Sequence, residues 1–317
     1  MTNQTLNQHA IDLEIDELRA LNHKTARTTV HALEDRLYKI HPVLDHGFIR
    51  VVDYMGDDAS VVQSARVSYG KGTKSVRDDE GLIRYLMRHR HSTPFEMCEI
   101  KLHIKLPIFV ARQWIRHRTA NVNEYSARYS VLDKEFYVPA PEHLAAQSMV
   151  NNQGRGAVLA GDEAQWVLDA LRRDSDAAYT RYEELLNERQ GGAIIDSTRQ
   201  GLARELARMM LPLNTYTQWY WKIDLNNLMH FLALRADPHA QYEIRAYADV
   251  MIQILHDWVP FTAKAFEDYR VGAFEMSAQM IAAARRMMAG ETVKREDTAM
   301  SRREWSEFCR VFELSVD

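Results

Sequence analysis

Between Glu96 and Leu106 the chain alternates strictly, with Cys98, Ile100, Leu102, Ile104 and Leu106 on one side and Glu99, Lys101, His103 and Lys105 on the other. A period of two sends successive side chains to opposite faces, so this segment predicts a strand with one buried and one wet face. Phe48 to Met55 and the aromatic, β-branched run Thr215 to Ile223 predict two more strands, and Phe136 to Val138 a short one ending at Pro139. Elsewhere the spacing is helical. Helices are expected over Asp58 to Val67, Asp79 to Arg90, Ile108 to Arg116, Asp162 to Arg189 and Ile194 to Leu211. Asp224 is placed to cap a helix from Leu225 to Arg235, and Asp237-Pro238 to open one running to about Tyr269.

Turn residues punctuate this pattern at Gly70 to Thr73, at Gly191-Gly192 and along the Gly/Asn-containing Asn151 to Gly161 segment, which reads as a linker or surface loop. Weak helical periodicity marks Ala10 to Leu21 and Val30 to Ile40. An Ala/Met-rich helix and a capping box at Ser301 and Glu304 mark the C-terminal end. Helix outweighs strand, yet the strands are distinct. The expected fold class is α+β: a single compact domain with an antiparallel or mixed sheet flanked by long helices. Helical extensions over residues 1–46 and 271–317 would bracket a catalytic domain over 47–270.

Composition narrows the chemistry. A chain of 317 residues with 46% hydrophobic content can bury a substantial core, and its formal charge of −4 exerts no general pull on nucleic acid or anionic membrane. No apolar run reaches the roughly 18 residues of a membrane helix, and the N-terminus is polar, so a cytoplasmic protein is expected. The two cysteines, Cys98 and Cys309, form no CxxC pair, so neither a disulfide framework nor a thiolate metal site is indicated. Redox chemistry would need a bound cofactor.

The densest chemistry lies in Arg116-His117-Arg118-Thr119-Ala120-Asn121-Val122-Asn123-Glu124-Tyr125-Ser126-Ala127-Arg128-Tyr129-Ser130. Guanidinium groups interleaved with amides and hydroxyls suit a phosphorylated, nucleotide-like anion. On an Ile108 to Arg116 helix, Gln113, Arg116 and His117 would share a face. A solvated basic turn is the plain alternative for any such charge run.

This stretch resembles the motif of the flavin-dependent thymidylate synthases, R-H-R-x-x-S-x-N-E-x-S-x-R-Y-S, and keeps nine of its ten fixed positions, with Asn121 in place of a serine. The resemblance continues, in order along the chain, through His91-Ser92-Thr93-Pro94-Phe95-Glu96, Leu211-Pro212-Leu213-Asn214 and Leu234-Arg235-Ala236-Asp237-Pro238-His239-Ala240-Gln241. It implies conversion of dUMP to dTMP, with methylenetetrahydrofolate as carbon donor, FAD as hydride carrier and NADPH as the reductant that regenerates it. It also implies a homotetramer whose sites are shared between subunits. By the same matching, Arg235 would be the catalytic cation, with Gln113, Arg116, Glu124, Ser126, Ala127, Arg128 and Arg208 holding dUMP beside it. FAD would be held by His91, Thr93, Arg116, His117, Arg118, Glu124, Asp224, Leu225, Asn226 and His230. No cysteine nucleophile is required, in keeping with Cys98 on the apolar face of its strand. With no G-x-G-x-x-G stretch after a strand, the flavin is not expected in a Rossmann crevice.

Two rival readings follow from the same residues. An RNA-binding protein could use the arginine loop on phosphates and stack bases on Tyr125 and Tyr129, but a broad basic stripe is missing. A metal hydrolase could recruit His89, His91 and His103, but their spacing has no helical ligand pairing such as HExxH.

Overall fold

The computed structural model describes residues 3–21, 23–67, 77–149 and 154–315. The Gly70 to Thr73 turn and residues 151–153 of the Asn151 to Gly161 segment fall outside them. Seven strands are formed among the described residues: β1 (Ile40–Val43), β2 (Gly47–Met55), β3 (Glu99–Pro107), β4 (Asn121–Glu124), β5 (Ala145–Gln147), β6 (Arg155–Val158) and β7 (Tyr216–Asp224). Five of them make one sheet in the order β1-β2-β3-β7-β4, and β5 pairs with β6 in a small hairpin. Every strand pair is antiparallel.

The alternation over β3 has the consequence expected of it. Ile100, Leu102, Ile104 and Leu106 are buried, while Glu99, Lys101, His103 and Lys105 are only partly covered. In register beside them stand Ile223, Trp221 and Trp219 of β7, and on the other side Ile49 and Val51 of β2. This apolar face is covered by the helices Ile108–Trp114, Leu225–Arg235 and Tyr242–Trp258. Removing each such aliphatic or aromatic side chain from water contributes about 1.5–3 kcal/mol.

Several helices fall where the periodicity places them: Asp58–Val67, Arg77–Arg88, Gly161–Leu186 and Leu225–Arg235. Asp224 caps the last of these, its carboxylate accepting from the Asn227 amide at 2.9 Å. Others differ. Within Val30 to Ile40 only His31–Glu34 is helical, because Tyr38 takes a positive φ of 64° and Ile40 enters β1. The Gly161–Leu186 helix closes on Asn187 at φ 58°, ahead of Gly191. Its side chain then holds the following loop through Asp196 and Arg199. That loop replaces most of the expected Ile194 to Leu211 helix, of which Arg204–Ala207 and a 3-10 turn at Arg208–Met210 remain. The helix expected from Pro238 to Tyr269 starts at Tyr242 and stops at Trp258; Pro260 opens a separate helix, Pro260–Phe266, capped by the buried Asp58.

Residues 266–317 form a second compact unit. Within it the Ala278–Met288 and Arg302–Val311 helices enclose Met280, Ala283, Val293, Met300, Trp305, Phe308 and Cys309. The capping box is present, Ser301 Oγ accepting from the Glu304 amide at 3.2 Å and the Glu304 carboxylate accepting from the Ser301 amide at 2.7 Å.

Candidate active site

Trp114 is the anchor on which the arginine-rich segment depends. Its indole is fully buried against Trp219, Trp221, Phe231 and Tyr247, with ring centroids 4.7–5.8 Å away. The helix therefore ends at Trp114, Ile115 caps it, and the His117 amide bonds the Trp114 carbonyl at 2.9 Å. Arg116 and His117 thus follow the helix in a turn, so the expected shared helical face with Gln113 does not form. Gln113 stays on the helix. Arg116 and Arg118 project as exposed cations, whereas His117 lies half-buried.

The His117 ring faces His230 at 5.6 Å and meets Phe231 edge-on at 5.4 Å, and its Nε2 lies 3.0 Å from Thr119 Oγ1. Burial, reinforced by His230 and Arg235, lowers its affinity for a proton. His117 and Arg118 also border a cleft of about 190 Å³ whose floor is Trp114, Trp219 and Trp221. The Arg118 guanidinium and the His117 imidazole at this aromatic cleft, with His230 beside His117, are a donor set of the kind that suits the polar edge of a flavin ring.

Beyond this turn the chain forms β4, a short strand absent from the hydrophobic pattern because all four of its residues are exposed. It pairs Glu124 with Trp219, and Glu124 accepts from Thr217 Oγ1 at 2.8 Å. Ser126 then closes a turn, its carbonyl accepting from the Tyr129 amide and its hydroxyl from the Arg128 amide. Arg128 lies over the Tyr129 ring at 5.4 Å. Arg208 donates to the Glu205 carbonyl at 3.1 Å and leaves the Glu205 carboxylate aside.

Arg235 ends the Leu225–Arg235 helix and, with Gln113, lines a cavity of about 1060 Å³. Each contributes a buried atom, Arg235 Nε and Gln113 Oε1, that finds no hydrogen-bond partner among the described residues. A buried donor or acceptor left unmet costs about 1–3 kcal/mol, more when charged, so a ligand that meets both recovers it. Burial alone presses the Arg235 guanidinium toward deprotonation, yet its starting affinity for the proton is so high that it stays a cation.

The remaining expected positions are less concentrated. Asp224 gives its carboxylate to Asn227, Leu225 is fully buried with its amide on the Cys98 carbonyl at 2.8 Å, and Asn226 is half-buried beside them. Thr93 starts a one-turn helix, Thr93–Glu96, that packs against the Leu225–Arg235 helix. His91 stands exposed, its ring 5.9 Å from Tyr85. Gln113 and Arg235 thus share one cavity, and His117, Arg118 and His230 share the aromatic cleft or its rim. Ser126, Ala127, Arg128 and Arg208 line neither.

Of this lining only Gln113 and Arg235 were expected as site residues; Arg155, Gln241 and Tyr242 are among those that were not. Gln241 belongs to the block that supplies Arg235, a signal that could have included it. Arg155 sits in the Gly/Asn segment read as a linker, where nothing local announces a role. The metal reading loses its geometry, since His89 and His91 flank Tyr85 while His103 is held between Arg50 and Gln218 at 2.9 Å each.

The Thy1 family, described as thymidylate synthase complementing protein, matches residues 50–261. A flavin-dependent thymidylate synthase of Ruegeria pomeroyi is 65% identical over 93% of this chain and 95% of its own length. One of Gluconobacter oxydans is 64% identical over 95% and 96%. Among solved structures, the UMP/dUMP methylase PolB of Streptomyces cacaoi, bound with 5-Br dUMP, superposes with a TM-score of 0.63 at 33% identity, over 72% of this chain and 97% of that one. Sequence, fold and this agreement together place the chain in the flavin-dependent thymidylate synthase family.

Proposed function

We infer that this protein converts dUMP to dTMP, taking the carbon from methylenetetrahydrofolate, and that the Gln113/Arg235 cavity receives the pyrimidine nucleotide. The observation that carries the site assignment is the pair of unmet buried atoms, Arg235 Nε and Gln113 Oε1, on two residues that line the same cavity. A pyrimidine ring offers carbonyl oxygens to the first and a ring N–H to the second. The family membership makes the protein an FAD-dependent methyltransferase with NADPH as reductant. The RNA-binding alternative is not favoured by these relatives.

For C5 of uracil to attack the one-carbon unit, electron density must be pushed through the ring onto a carbonyl oxygen. Arg235, fixed at a helix end and desolvated, is placed to stabilise that charge as it develops, an effect worth about 2.7–4 kcal/mol for a single preorganised donor. Arg116, Arg128 and Arg208 would hold the phosphate, with Glu124, Ser126 and Ala127 beside the nucleotide. Bound FAD supplies the hydride; His91, Thr93, Arg116, His117, Arg118, Glu124, Asp224, Leu225, Asn226 and His230 are the residues proposed to hold it. Residues 47–270 would carry both sites.

The enzyme is proposed to work as a homotetramer in the cytoplasm. Among the described residues no helix is long and apolar enough to cross a membrane. The direct test is anaerobic incubation of the reduced protein with dUMP and methylenetetrahydrofolate. Formation of dTMP is the expected result, and its absence from flavin-replete protein would refute the reading.

A further inference from the structure

Glu243 is a carboxylate with only 4% of its side chain exposed, at the start of the Tyr242–Trp258 helix. Three donor residues make four hydrogen bonds to it. Arg155 Nη2 lies 2.6 Å from both oxygens, Gln241 Nε2 donates to Oε2 at 2.8 Å, and Tyr137 Oη donates to Oε1 at 2.9 Å. These bonds hold Glu243 ionised against the cost of its burial. Arg155 is further tied by Nη1 to the His143 carbonyl at 3.1 Å, and its guanidinium lies 5.9 Å from the Tyr242 ring, on which His143 stacks at 3.5 Å.

Three of these residues, Arg155, Gln241 and Tyr242, line the same cavity as Gln113 and Arg235. Glu243 itself does not. One buried anion therefore fastens the start of β6 to the turn that follows Arg235, and so ties together two parts of the lining of the cavity that Arg235 also lines. No role in turnover is otherwise assigned to Glu243 or Arg155 by the residues that match the family motifs.

We propose that Glu243 is a positioning residue for nucleotide binding, acting through Arg155 to hold the cavity wall in its binding-competent arrangement. The inference rests on the reading of this cavity as the dUMP site. Neither residue takes part in the chemistry, so loosening the wall weakens capture of the nucleotide more than it slows the chemical step.

The test compares Glu243→Gln, Arg155→Ala and the double variant in steady-state turnover with dUMP, alongside direct dUMP binding to the FAD-loaded enzyme. Each single variant is expected to raise KM for dUMP by about tenfold or more while kcat changes by less than about threefold, a pattern of lost uniform binding. The double variant should be no worse than the more damaged single one, because both remove the same tie. Arg155 is partly exposed, so Arg155→Ala stays informative if Glu243→Gln fails to fold. A folded Arg155→Ala enzyme with unchanged KM, or with kcat lowered at unchanged KM, would overturn the proposal. Arg235→Ala serves as the control on the cavity itself. If it loses dUMP while Arg155→Ala keeps full affinity, this inference alone fails; if Arg235→Ala binds dUMP undiminished, the cavity assignment fails and the inference goes with it.

Discussion

A half-buried guanidinium whose Nε meets no acceptor is a stored demand for a ligand, and Arg235 meets that description. Arg235→Ala should abolish dTMP formation while the protein keeps its flavin absorbance; product analysis beside a visible spectrum checks both, and retained turnover would remove Arg235 from the chemistry. Cys98 presents the opposite case. It is fully buried, its Sγ lies 3.5 Å from the Asp57 carbonyl, and burial first, then the nearby Asp57 and Asp58, push its thiol up to about 12. Such a thiol is inert near neutral pH. Cys98→Ala should cost about 1–2 kcal/mol of stability, a modest large-to-small change, and leave turnover per folded enzyme unchanged; loss of activity in folded protein would contradict the flavin route. His103 supplies a pH dependence. Burial, then the charge of Arg50, lower it from 6.5 to about 4, with Lys105 adding to the effect and Gln218 and Glu14 opposing it. Because the folded form binds the proton more weakly than the unfolded chain, its contribution is present above pH 6.5 and is lost as pH falls toward 4. Thermal melts over that range should show the loss, and His103→Gln should shrink it.

Elements built on strong periodicity were legible, and those built on pairing or on backbone geometry were not. β3 and β7 could be read because a one-sided burial writes itself into every second residue. β4 could not, since Asn121 to Glu124 are all exposed and are held as a strand only by their bonds to β7. The false helix over Ile194 to Leu211 has a comparable cause. Gly201 takes φ of 78° with no room for a side chain, an added Cβ falling 2.1 Å from the Leu186 carbonyl oxygen, and Asp196 bonds locally to Thr198. For the site, the arginine motif drew the eye by residue type and Arg235 by the resemblance of the block around it, whereas Arg155 had neither signal, because its contact is a carboxylate 88 positions away. Gly47 offers a test at this scale. A Cβ there would stand 2.1 Å from the Tyr247 hydroxyl and 2.6 Å from the Val43 carbonyl oxygen, where β1 turns into β2 beneath the Tyr242–Trp258 helix. Gly47→Ala should destabilise the protein by about 1–3 kcal/mol, the usual cost of overpacking, measurable as a lowered denaturation midpoint; an unchanged midpoint would show that the hairpin yields without cost.

At the scale of the whole molecule, the arrangement of arginines within one chain raises a question of stoichiometry. Arg235 and Gln113 line the large cavity, whereas Arg128 and Arg208, proposed to hold the same phosphate, line neither that cavity nor the aromatic cleft. Arg128 is occupied locally with Tyr129, and Arg208 with the Glu205 carbonyl. If each nucleotide site draws Arg235 from one protomer and Arg128 from another, one division that the proposed shared-site homotetramer allows, a protomer lacking either arginine can still complete a site with a suitable partner. Arg235→Ala enzyme should be inactive alone, and Arg128→Ala enzyme nearly so at dUMP concentrations well below its weakened affinity, which falls by about 1.5–3 kcal/mol, the scale of one charge-assisted contact. Coexpressed with two different tags and isolated through both, mixed assemblies should regain part of the wild-type dTMP formation. Light scattering should give them a mass about four times the 36.8 kDa of one chain. Mixed assemblies of that mass with no activity would instead require both arginines to act from a single protomer, and the loop carrying Arg128 would then have to reach the cavity of its own chain.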